Sequence, residues 1–225
     1  MIEITTLEKN RSMRTLLIQP KAYYMKKAII GSIVGALIIF IWQFLSFALL
    51  NFHKPAQQYT DKQDAIMSFL ASQELKDGGY FMPNVPSTTS NEDAQEVMKK
   101  FDGKPWSRIE YHNVAENSTN AMVMNMVRVL LVNVVIVLLF SWLVGKMYAP
   151  SFQTIVIAAL AVGIIAFLNE PYTGFIWYKT FDIWAYLLDA VVAWGLTGLW
   201  LGWWLRKSRS QMSAVKSAER EKELA

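Results

Sequence analysis

Long apolar runs, separated by short polar links and one long polar stretch, set the pattern of this chain. The first run is Ala28–Leu50, with Gln43 its most polar residue. The second, Ala121–Val144, is interrupted by Asn125, Arg128 and Asn133. The third, Phe152–Leu168, is short, and the fourth, Ile183–Leu205, is rich in tryptophan and interrupted by Asp189. A helix needs about 20 apolar residues to cross a bilayer core. The pattern therefore predicts an all-α membrane protein, a four transmembrane helix bundle with spans at 28–50, 121–144, 152–168 and 183–205.

The stretch 51–120 reads differently. Asp61–Leu75 places Ala65, Ile66, Phe69 and Leu70 on one helical face, with Asp61 as the expected cap and Asp77-Gly78-Gly79 as the stop. Gly79–Met82 is expected to be extended. Ser90-Asn91-Glu92-Asp93 resembles a capping box opening a helix through Lys100. Trp106–Asn113 alternates apolar and polar residues, which predicts a strand able to pair with Gly79–Met82. The expectation is a small α+β extracytoplasmic insertion between helices 1 and 2. A core this small is marginal alone, so the insertion is expected to rest on the spans or on a partner chain.

Charge sets orientation. The net charge is +4, and the basic residues flank the apolar runs. They cluster in 1–27, at Lys146 and in 206–225, which puts both termini in the cytoplasm of a bacterial inner membrane. Topology explains the charge without nucleic acid. The first run is too long for a cleaved signal and lacks a small-residue cleavage site. Met25-Lys26-Lys27 reads as a natural start, leaving 1–24 as an upstream extension. With no cysteine, disulfides, thiolate metal sites and cysteine nucleophiles are excluded. The two histidines lie outside the apolar runs, which excludes a haem held by paired histidines in the membrane. Phosphate-loop, zinc-protease, nucleophile-elbow and dinucleotide signatures do not occur, so no cofactor is predicted and an enzyme is disfavoured.

Arg128 and Asp189 each lie about 10 Å inside their spans by helical rise. Opposite charges at one depth suggest a salt bridge facing the bundle interior. Glu170, Asp182, Asn125, Asn133 and Asn169 fall in or near that layer. The cluster reads either as a structural bridge, with Arg128 snorkelling toward headgroups, or as an outward polar pocket of a small transporter or ligand-binding protein. His53, His112 and Glu116 share the outer side and are candidate metal ligands for a membrane enzyme. Gly31 and Gly35, and Gly195, Gly198 and Gly202, form small-residue faces for close helix packing within the chain or between chains. Trp142, Trp203, Trp204, Tyr172, Trp177 and Tyr178 read as interfacial anchors.

Phe40–His53 (FIWQFLSFALLNFH), Gly79–Pro86 (GGYFMPNVP), Asn169–Phe175 (NEPYTGF) and the last span with Asp189, Trp194, Gly195 and Gly198 resemble a poorly characterised group of small bacterial four-span inner-membrane proteins. The resemblance covers about 25–205. It implies architecture and no catalytic residues. The leading expectation is a non-catalytic accessory subunit or self-associating protein, with the lipid bilayer and a protein as partners.

Overall fold

In a computed structural model, residues 24–115, 118–147 and 150–224 are described, with side chains described as far as Leu205. The expectations for 1–23 and for Glu116 lie outside these residues. Helix α1 runs Tyr24–Leu49. In the insertion come α2 (Gln63–Ser72), β1 (Gly78–Met82), α3 (Asn91–Lys99) and β2 (Ser107–Tyr111). Helix α4 follows at Thr119–Lys146 and α5 at Phe152–Phe167. The short α6 (Thr173–Trp177) and the long α7 (Ile183–Leu224) complete the order. The four helices long and apolar enough to cross a membrane are Tyr24–Leu49, Thr119–Lys146, Phe152–Trp177 and Ile183–Leu205. The chain is an integral membrane protein of four such helices, with a two-stranded sheet between the first and second.

Contacts divide the chain into the spans with their links and a second unit, Gln58–Met122. In that unit β1 and β2 pair antiparallel, with Tyr80 opposite Ile109 and Gly78 opposite Tyr111. Ser90 caps α3, its hydroxyl accepting from the Asp93 N–H, as its capping box requires. Asp61 does not cap α2. That helix starts later, and the Thr60 hydroxyl accepts from the Lys62 N–H instead. It also ends before the glycines, at Ser72, and Glu74 just beyond its cap has a φ of 51°; Gly78 and Gly79 begin β1.

Within the bundle, glycines let neighbouring helices touch. A Cβ on Gly31 would meet Trp204 Cδ1 at 2.7 Å, so the start of α1 lies on the C-terminal end of span four. Gly35 faces Val137 of α4 and Thr197 of α7. Gly198 lies on Ala159, Gly202 on Phe152 and Gly195 on Leu160, all residues of α5. The small-residue faces thus pack inside the chain. Gly163 belongs with them although its run gave no motif: its Cβ would meet the Ala190 carbonyl oxygen at 2.7 Å.

Side-chain donors stitch the same contacts. Trp200 and Trp204 donate their indole N–H groups to the Gly31 and Lys27 carbonyls at 2.9 and 2.8 Å. The Ser32 and Ser141 hydroxyls lie 2.9 Å apart, both buried. The apolar core joins Ala36, Ile39, Val137, Phe140, Ile155, Ala159, Trp194 and Leu201 from all four spans.

The third span does not end at Leu168. It continues through a π-helical turn, Leu168–Tyr172, and α6 to Trp177. Pro171 has no N–H and would break a regular helix. The wider turn absorbs it, and the Thr173 hydroxyl donates to the Leu168 carbonyl at 2.8 Å. Tyr172 and Trp177, expected as interfacial anchors, therefore stand on helical residues.

Candidate functional site: a buried Asp–His–Asp cluster

The site lies at the end of the bundle opposite Tyr24 and Leu205, here called distal. It starts with how α1 stops. Leu45–Leu49 is π-helical, with the Leu50 N–H donating to the Leu45 carbonyl at 2.7 Å. Asn51 then takes a φ of 55°, a left-handed conformation that asparagine tolerates better than most residues. The Phe52 N–H reaches back to the Ser46 carbonyl at 3.1 Å. The reversal continues in a 3₁₀ turn, Lys54–Ala56, and aims the His53 side chain back into the bundle, where it is 1% exposed.

Two carboxylates meet it there. Asp182 stands at the N-terminus of α7, where its charge is favoured by the helix dipole, and its carbonyl accepts the Ala185 N–H at 2.9 Å. Asp189 follows on the same face, about two turns on. His53 Nδ1 lies 2.8 Å from Asp182 Oδ2, and His53 Nε2 lies 3.0 Å from Asp189 Oδ2. The remaining Asp189 oxygen accepts from Trp42 Nε1 of α1 at 2.9 Å. Phe47 stacks on the imidazole at 3.7 Å between centroids, and Tyr186 meets it edge-on at 4.7 Å.

Proton counting fixes the charge of this cluster. Each imidazole–carboxylate contact needs one proton, and a neutral imidazole supplies one. The two contacts therefore hold two protons. Either an imidazolium lies between two carboxylates, or a neutral imidazole lies between a carboxylate and a carboxylic acid. Both forms carry a net charge of minus one. Burial of such charge is tolerated only when it is paired and hydrogen-bonded. The cluster clamps the ends of α1 and α7 together, with three hydrogen bonds crossing between them.

The other sequence candidates are distributed around this site. Asn133 is buried and donates to Gln43 Oε1 of α1 at 2.9 Å. Glu170 and Asn169 are exposed in the π-helical turn. Arg128 does not meet Asp189. It is exposed on α4 and donates to Asn125 Oδ1 at 3.3 Å. Depth alone suggested the ion pair, but azimuth forbids it. The buried residues of α4 are Asn133, Val137, Phe140, Ser141 and Val144. Arg128 lies about two and a half turns from Val137, which puts it on the opposite face.

His112 is exposed and follows β2. Both nitrogens of His53 face carboxylates, so as arranged neither presents a lone pair to a metal. Among the described residues, no group of three or more His, Asp or Glu side chains is placed to hold a metal ion. Ser46, buried beneath the reversal, carries a hydroxyl with no hydrogen-bond partner among the described residues.

In the second unit, Asp77 Oδ1 accepts from the Asn113 N–H and Nδ2 at 2.8 and 2.7 Å. The backbone N–H of Asn113 is the main influence holding the Asp77 carboxyl below its ordinary value. This contact ties the start of β1 to the chain leaving β2.

Sequence reasoning missed His53 as the centre of the site. The available signal was Asp189 itself: a carboxylate that deep needs donors, and Trp42 and His53 are the polar rings at the distal end of span one. No protein-family model, curated protein or solved structure matches this chain.

Proposed function

We propose that this chain is a non-catalytic accessory subunit of a larger membrane complex, in a bacterial inner membrane with both termini cytoplasmic. It binds its partner through the distal half of α4. One observation carries the reading: Arg128 is exposed, and among the described residues no carboxylate pairs with it. From Met122 to Val132 no residue of α4 is buried, and Met124, Val127, Leu131 and Val132 accompany Arg128 outward. An unpaired arginine costs about 2.5–3.5 kcal/mol at the centre of a spanning helix, and less toward the interface. A partner helix bearing Asp or Glu at the same depth removes that cost and gives the contact its specificity. Deep polar groups elsewhere in the bundle are spent internally: Asp189 on Trp42 and His53, and Asn133 on Gln43. In this reading the His53 cluster is a structural clamp that holds the distal end of the bundle rigid for docking.

A photo-crosslinking residue at position 125, irradiated in native membranes, tests the proposal. The expected result is one discrete protein adduct that disappears when Arg128 is replaced by leucine. Lipid adducts alone, or a protein adduct indifferent to Arg128, would contradict it.

A further inference from the structure

At the end of the bundle where Tyr24 and Lys146 lie, α1 and α4 leave a cavity of about 750 Å³ between them. Its walls are apolar: Ala28 and Ile29 from α1, Val135, Leu139 and Trp142 from α4. Ile29, Val135, Leu139 and Trp142 are exposed, so the cavity is a groove open to the hydrocarbon rather than to a sealed interior. One charged residue, Lys146, lines it, in the last turn of α4. The Lys146 ammonium stands 5.3 Å from the centre of the Trp142 ring, which holds the charge at the mouth. Lys26 is exposed on the neighbouring first turn of α1. The floor is fixed by Gly145, where a Cβ would meet the Tyr24 ring at 2.9 Å. Tyr24 donates its hydroxyl to the Ser141 carbonyl at 3.1 Å.

A long apolar trough with cations at its interfacial end matches one ligand class. We propose that this groove binds an anionic phospholipid, one acyl chain lying between α1 and α4 and the phosphate facing Lys146 and Lys26. The trough selects for a chain, and the lysines select for headgroup charge. This inference is independent of the partner proposed at the distal half of α4.

The test is native mass spectrometry of the full chain in mild detergent, titrated in turn with phosphatidylglycerol and phosphatidylcholine of identical acyl chains. The expected result is one retained lipid, with phosphatidylglycerol preferred about five-fold or more, the effect of about 1 kcal/mol for one lysine near a charged surface. Lys146→Gln should remove most of that preference while a lipid is still retained. Ala28→Phe should fill the trough and abolish retention of either lipid, and Val135→Phe should do the same from the facing helix. The Lys146 position is exposed, so its variant folds and isolates the headgroup effect. Equal affinity for the two lipids, or a preference unchanged by Lys146→Gln, would overturn the proposal. So would retention unaffected by both phenylalanine variants, the outcome if another part of the chain filled the groove.

Discussion

His53 Nε2 and Asp189 Oδ2 lie 3.0 Å apart although 136 residues separate them in the chain. With the contact from Asp182 on the opposite ring nitrogen, this pair determines what the distal end of the bundle tolerates.

Removing one member of the cluster should cost more than removing all of it. His53→Ala takes the shared ring away from the buried Asp182 and the part-buried Asp189 and should destabilise the bundle by about 3–5 kcal/mol. Combining His53→Leu with Asp182→Asn and Asp189→Asn removes the charges together and should recover much of that loss. Equilibrium unfolding in mixed micelles would compare the variants; equal losses in the two would show that the carboxylates do not depend on His53.

Ser46→Ala should be neutral or stabilising, by up to about 1–3 kcal/mol. The Ser46 hydroxyl is buried without a hydrogen-bond partner among the described residues, and deleting such a group removes a desolvation cost. A lower melting temperature for this variant would mean that the hydroxyl has a partner in the membrane.

Glycines in the bundle should differ by what they touch. Gly163→Ala pushes a methyl against the Ala190 carbonyl oxygen at 2.7 Å and should cost about 1–3 kcal/mol. Gly195→Ala meets only Leu160 at 3.5 Å and should be tolerated. Thermal unfolding of the pair measures the contrast, and equal effects would refute the packing described for α5 and α7.

Acid should loosen the second unit through Asp77. Its folded-state value is held below the ordinary 3.8, chiefly by the Asn113 backbone N–H. The contribution is therefore complete above the unfolded value and is lost as pH falls below 3.8 through the lower folded one. Amide exchange of Asn113 should accelerate, relative to neighbouring amides, in that window. Asp77→Asn should flatten the dependence; an unchanged pH profile in that variant would rule out this carboxylate as its source.

Much of this architecture can be read from residue patterns, because each local signal there is satisfied locally. The apolar runs specify the four spans. Ser90 and Asp93 announce the α3 cap, and the alternation around Ile109 announces the strand that pairs with Tyr80. What could not be read depends on long-range geometry. Nothing periodic connects residue 53 with 182 and 189, and only the left-handed turn at Asn51 returns His53 to the bundle. Arg128 and Asp189 share a depth, but depth says nothing about azimuth, which follows from Asn133, Val137, Phe140 and Val144. The apolar run that ends at Leu168 does not mark the end of the helix, because a π-helical turn carries it on through Pro171.

The most direct test of the accessory role is the mass of the particle released from native membranes by mild detergent, compared between the wild-type chain and Arg128→Leu. The arginine is exposed and lies on the face of α4 away from the core, so the substitution should leave folding unchanged within about 0.5 kcal/mol. The expected result is a wild-type particle heavier than the chain by one defined partner, and a variant particle reduced to the chain with its detergent and lipid. A wild-type particle of the same mass as the variant would contradict it.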